Sequence, residues 1–143
     1  MAAAFNKFNI FVQDLSQGVH NLNTHTLKVM LTNTAPVATN AVKADITEIS
    51  AGNGYTAGGN AAAQTSDVQT GGVDKLILQN PATWTASGGS VGPFRYAVLY
   101  NDTPTSPAKP LIGWYDYGSA VTLASGEQFQ VAFDATNGVF TIT

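Results

Sequence analysis

The feature that most constrains the fold is a two-residue alternation of apolar and polar side chains, which recurs from Thr26 to the end of the chain. In the first run, Leu27, Val29 and Leu31 alternate with more polar neighbours, the spacing of a β-strand with one buried face. Gly, Pro, Asn and Ser residues separate this run from the next ones. The pattern predicts a mostly β fold, a jelly-roll-like β-sandwich of about eight short strands.

Further strands are predicted along the rest of the chain, at residues 62–70, 73–79, 83–86, 94–101, 111–117, 129–133 and 139–143. Residues 94–101 are apolar on both faces, which predicts a central strand. Gly71 and Gly72 lie between two candidate strands and predict a hairpin turn. Residues 42–50 predict one short helical turn.

The N-terminal segment has a different pattern, with apolar residues three and four positions apart: Phe5, Phe8, Val12, Leu15, Val19 and Leu22. This spacing predicts an amphipathic helix of about three to four turns, for which Gly18 is a natural end. The chain therefore divides into an N-terminal helix or arm at 1–25 and a β-sandwich domain at 26–143. The apolar stripe packs either on its own domain or on a neighbouring subunit.

Composition excludes several classes of protein. The 143 residues are 10% charged, carry a formal net charge of −3 and include no cysteine. So sparse and slightly acidic a surface does not suit nucleic-acid binding or a polybasic membrane anchor. No apolar run has the length of a membrane span, and the first residues lack the pattern of a secretory signal, which predicts synthesis in a cytoplasm.

Two motifs that resemble catalytic or nucleotide-binding sites fail on their context. Residues 88–92 match the nucleophile elbow G-x-S-x-G, but that motif requires a following helix and a later histidine, whereas His20 and His25 lie upstream. Residues 52–57 match a loose dinucleotide fingerprint, but the strands that follow form a hairpin and not a βαβ unit. We therefore expect no enzyme activity, no catalytic residues, no metal and no cofactor.

The sequence leaves more than one role open for the single arginine and for the aromatic residues. Arg95 is the only arginine, and it pairs with Asp116 or Asp102, stacks on an aromatic ring, or contacts another subunit. The aromatic residues either pack the core or form a platform for a sugar. The candidates for such a platform are Trp84, Tyr96, Tyr100, Trp114, Tyr115 and Tyr117.

Several blocks of the sequence together resemble a family of small structural proteins of tailed bacteriophages. They are residues 18–22 (GVHNL), 27–36 (LKVMLTNTAP), 45–49 (DITEI), 53–59 (NGYTAGG), 83–86 (TWTA), 92–100 (GPFRYAVLY) and 110–118 (PLIGWYDYG). The resemblance covers most of the chain. It implies a capsid decoration, or cement, protein that binds the outer surface of the head and bridges major capsid subunits, and it brings no catalytic residues with it.

The resemblance also implies a partner, and the residue patterns described above provide the candidate contacts. The expected partner is the major capsid protein, with the chain itself a dimer or trimer on the virion surface. The expected contacts are Phe5, Phe8, Val12 and Leu15 of the apolar stripe, Tyr55 of the glycine-rich loop at 52–60, and Arg95. The alternatives are a tail or head-fibre component and a module that binds host glycans.

Overall fold

The computed structural model describes residues 3–143, which form ten strands, one α-helix and one 3-10 turn. The strands are β1 (Asn6–Lys7), β2 (Leu27–Thr32), β3 (Asn60–Ala61), β4 (Gln64–Thr70), β5 (Val73–Leu78), β6 (Trp84–Thr85), β7 (Val91–Asn101), β8 (Leu111–Leu123), β9 (Gln128–Phe129) and β10 (Phe140–Ile142). The helix α1 is Ile10–Ser16, and the 3-10 turn is Lys43–Asp45. The predicted mostly β, sandwich-like fold with a short N-terminal helix is confirmed, with ten strands where about eight were expected.

The strands form three antiparallel sheets. The largest has five strands in the order β1-β8-β7-β2-β3, and the others have the orders β10-β5-β4 and β6-β9. β7 lies in the middle of the largest sheet, which confirms the prediction from its two apolar faces. β2 and β7 pair along their length, with Met30 opposite Val98.

Both faces of the five-stranded sheet are covered. On one face, Val29, Leu31 and Leu99 pack with Leu76 and Leu78 of the second sheet. A separate cluster covers the other face: Phe8, Met30, Ile46, Val98, Tyr100 and Leu111. A strand enclosed from two sides must be apolar on both faces, which explains the sequence of β2 and β7.

The N-terminal segment departs from the predicted helix. α1 has seven residues, and Asn6 and Lys7 before it form β1, which pairs with Trp114 and Gly113 of β8. Free backbone groups at the edge of β8 provide hydrogen bonds that an isolated helical turn would lack. The predicted helix of three to four turns is therefore too long, although Gly18, with a φ of 75°, follows its end as expected.

Other boundaries differ by less. Gly71 and Gly72 turn the chain between β4 and β5 as predicted, and the 3-10 turn falls within the predicted helical turn. β8 continues to Leu123, and β9 ends at Phe129 because its partner β6 has only two residues. In the described part of the chain, no helix combines the length and the apolar character needed to cross a membrane.

Candidate functional site

An open cleft of about 500 Å³ lies between the β7–β8 hairpin and residues 129–139. Seven aromatic residues line what we call the aromatic cleft: Phe5, Phe94, Tyr96, Tyr115, Tyr117, Phe129 and Phe133. Its volume falls within the range of roughly 300–1,000 Å³ found for ligand pockets. Walls of aromatic rings are also typical of such pockets.

Strand pairing positions the walls of the cleft. Tyr115 lies opposite Ala97 in the β7–β8 ladder, and Ala97 and Leu31 also line the cleft. Ala97 has a single methyl group as its side chain, so it leaves space in front of its larger neighbours. After β9, residues 130–133 leave the regular strand and form the facing wall.

Contacts between rings hold the aromatic walls in place. Tyr117 and Phe129 meet edge to face with centroids 5.7 Å apart, and Tyr115 lies 6.0 Å from Phe133. Burial raises the pKa of Tyr115 to about 12, so its hydroxyl stays protonated at neutral pH. Tyr117 differs from the others because 59% of its surface is exposed. It therefore offers a fixed aromatic ring to solvent.

Arg95, which lines the cleft, forms an ion pair with Asp116 of β8. Arg95 donates two hydrogen bonds to the carboxylate of Asp116, at 2.7 and 2.9 Å. The backbone N–H of Gly118 donates a third, at 2.8 Å. The hydrogen bonds from Arg95 are the main reason that the pKa of Asp116 is lowered. Of the two ion-pair partners predicted for Arg95, the structure selects Asp116.

Two of the expected contact residues lie inside the chain's own core. Phe8 is 0% exposed and packs on Trp114 with ring centroids 4.6 Å apart. Tyr55 is 2% exposed, and its hydroxyl accepts from the Leu31 N–H and donates to Glu48. Neither side chain is open to a partner in this structure, because the chain itself provides their contacts.

The other four expected contact residues are more accessible but lie apart. Phe5 is half-buried against Tyr115 and lines the aromatic cleft, as does Arg95. Leu15 packs at the edge of the core, and Val12 is 51% exposed on α1. Only Phe5 and Arg95 therefore share a site.

A polar network under the glycine-rich loop was not found from the sequence. The Glu48 carboxylate accepts hydrogen bonds from the Tyr55 hydroxyl and the Gly58 N–H, both at 2.6 Å, and from Lys43 at 2.8 Å. The Tyr100 hydroxyl donates to the Gly58 carbonyl at 2.7 Å. The network joins residues far apart in the sequence, so no local motif reveals it. It attaches the loop to the sheet.

The two histidines meet at one asparagine. The Nδ1 atoms of His20 and His25 lie 3.1 and 2.9 Å from the Asn101 side-chain nitrogen. Burial, with a smaller contribution from His25, lowers the pKa of His20 to about 4. In residues 3–143, no group of three or more His, Asp or Glu side chains is placed to hold a metal ion.

Comparison with known proteins identifies no relative: no family model, no curated protein and no solved structure matches this chain. The resemblance to phage structural proteins therefore stays a prediction from the residues quoted above.

Proposed function

We propose that the protein is a structural component of a tailed-phage virion, a capsid decoration protein that binds the outer surface of the head and stabilises contacts between major capsid subunits. The sequence resemblance points to this class. The structural observation that supports it is an exposed, weakly charged strand at the edge of the second sheet. That strand, β4, is a surface suited to contact with another protein chain.

The edge position of β4 leaves backbone groups free. β4 is the outer strand of the sheet β10-β5-β4, so one row of its N–H and C=O groups has no strand partner among the described residues. Such an edge can pair with a strand of another chain, in which case main-chain hydrogen bonds provide affinity.

The side chains of the β4–β5 hairpin favour a protein partner. β4 has the sequence QTSDVQT, in which only Asp67 is charged. Val68 is 60% exposed and Val73 is 37% exposed. Because Val73 pairs with Thr70, two positions from Val68, both valines project from the same face. Protein interfaces are depleted of charged residues in the same way.

A cement role is physically consistent with a modest contact of this kind. A protein that binds the assembled shell, and not the free subunit, stabilises the shell by mass action. Many copies on one head multiply the effect. Self-association as a dimer or trimer on the virion surface is part of the proposal, and the major capsid protein is its partner.

The test uses heads of the phage that encodes the chain, assembled without this protein. We expect the purified protein to bind them saturably, at a ratio set by icosahedral symmetry, and to raise the melting temperature of the shell. Val68→Asp should weaken binding roughly tenfold or more, because it places a charge in the contact. Val37→Asp is the matched control, since Val37 is 56% exposed outside the hairpin.

Two outcomes would overturn the decoration role, and a third would overturn the proposed contact surface. Absence of binding, with no change in shell melting, excludes a decoration role, and recovery of the protein with purified tails would favour a tail component. Equal loss of binding in both valine variants would exclude the hairpin as the contact surface. Sedimentation equilibrium of the free protein and of Val68→Asp measures the expected dimer or trimer.

A further inference from the structure

We propose that the aromatic cleft binds an uncharged sugar, as a pyranose ring of a larger glycan. This role is separate from the proposed capsid contact, because the cleft lies between β7–β8 and residues 129–139 whereas the capsid contact lies on β4. The two sites can therefore be tested independently.

The apolar part of a pyranose needs a flat, exposed ring, and Tyr117 offers one. More than half of its surface is open, while the edge-to-face contact with Phe129 at 5.7 Å fixes its orientation. An aromatic side chain provides a large contact area at a low cost in conformational entropy. A ring already held in place loses little further freedom when a ligand stacks on it.

The hydroxyl groups of a sugar need donors and acceptors side by side, and Arg95 and Gln130, which both line the cleft, provide them. Arg95 has five N–H donors, of which two bind Asp116, and 39% of its side chain and 38% of that of Asp116 are exposed. The mutual pairing fixes both groups before a ligand arrives. Gln130, which also lines the cleft, is exposed and adds an amide.

Charge and polarity favour an uncharged sugar over other small ligands. Asp116 neutralises Arg95 at 2.7 Å, so the pair has no excess positive charge for a phosphate or sulfate. A lipid chain would cover the remaining N–H donors of Arg95 and the amide of Gln130 with hydrocarbon, which offers them no hydrogen-bond partners and is costly. A sugar uses both the aromatic wall and these polar groups.

The experiment titrates the uniformly ¹⁵N-labelled full chain with the methyl glycosides of glucose, galactose, mannose and N-acetylglucosamine. We expect at least one of them to shift amide resonances in residues 94–97, 115–118 and 129–134, with a Kd in the millimolar range, which is usual for a single small ligand of this size. No shift with any of these probes, or shifts confined to residues elsewhere, would overturn the proposal.

Variants of Tyr117 provide the matched comparison. Tyr117→Ala should weaken sugar binding roughly tenfold or more, whereas Tyr117→Phe keeps the stacking surface and should retain most of the affinity. Thermal unfolding of both variants confirms that they fold. Equal affinity of Tyr117→Ala and the unmodified protein would overturn the proposal.

A head-binding assay of the Tyr117 variant distinguishes the sugar proposal from the proposed capsid role. Tyr117→Ala should bind heads as the unmodified protein does, because it leaves the β4–β5 hairpin intact. If instead Tyr117→Ala loses head binding and heads displace the sugar, the cleft is a protein-docking site, and the sugar proposal is overturned. Failure of head binding by itself leaves the sugar titration unaffected.

Discussion

His20 should make the stability of the protein sensitive to mild acid. The residue is 6% exposed, and its ring packs on Phe11 with centroids 5.1 Å apart. Its Nδ1 atom lies 3.1 Å from the Asn101 amide nitrogen. An amide nitrogen can only donate, so Nδ1 of His20 accepts the hydrogen bond. The imidazole must be neutral to do so. Protonation would therefore break this hydrogen bond and bury a positive charge.

The expected magnitude follows from the pKa of His20 in the two states. Burial lowers the pKa from 6.5 to about 4 in the folded protein. Between these values the unfolded chain binds a proton that the folded chain does not, so stability falls as the pH falls from 6.5 to 4. Proton linkage at His20 alone should lower the free energy of unfolding by about 2 kcal/mol between pH 7 and pH 5.

The assay is urea unfolding at pH 7 and pH 5, with His20→Asn as the variant. Asparagine keeps an acceptor near the position of Nδ1 but does not titrate. Between pH 7 and pH 5, the free energy of unfolding of the unmodified protein should fall by about 2 kcal/mol more than that of His20→Asn. Carboxylates with shifted pKa values contribute equally to both proteins, so their effect cancels in this difference.

His25→Asn is the control for the second histidine at Asn101. Burial is the larger cause of the low pKa of His20 and the charge of His25 the smaller one. The control should therefore keep most of the pH dependence. Equal pH dependence in the unmodified protein and in His20→Asn would refute the reasoning, because the group then titrates no differently in the two states.

Substitutions at Gly59 and Tyr55 test the close packing of the glycine-rich loop and its hydrogen bonds. Gly59→Ala should destabilise the fold by about 3 kcal/mol or more, because its Cβ would lie 1.8 Å from the Val29 carbonyl oxygen. The control is Gly71→Ala, whose Cβ would have nothing within 4 Å and which should cost only about 1 kcal/mol of backbone strain. Equal losses of unfolding free energy in the two variants, measured by urea unfolding, would contradict the close approach at Gly59. Tyr55→Phe should lower the free energy of unfolding by about 2 kcal/mol in the same assay, because the buried Leu31 N–H and the Glu48 carboxylate each lose a hydrogen-bond partner. An unchanged urea midpoint would show that these hydrogen bonds add nothing to stability.

The burial of Phe8 and Tyr55 could not be predicted from the sequence, for a physical reason. The sequence predicts Phe8 as a partner contact because it belongs to the apolar N-terminal stripe, and Tyr55 because it lies in the glycine-rich loop at 52–60. The structure encloses Phe8 against Trp114 and ties Tyr55 to Leu31 and Glu48. These neighbours are distant in sequence, so the spacing of residues around Phe8 or Tyr55 contains no information about them.

The β architecture was determined by the sequence itself. The two-residue alternation at 27–32, the two apolar faces at 94–101 and the glycine pair at 71–72 each specify a local backbone geometry, and all three are confirmed. These features depend on the pleat of a strand and on the φ values of a turn, which residues close in sequence decide.

The tertiary structure alone decided which strand edges meet and where space remains. Asn6 and Lys7 form a strand because β8 offers them a free edge, although their local spacing favours a helix. The aromatic cleft exists because residues 130–133 pack across from β7 and β8 without joining a sheet. Both outcomes depend on backbone hydrogen bonds and side-chain contacts between segments far apart in the chain, and such contacts form only when the whole chain folds.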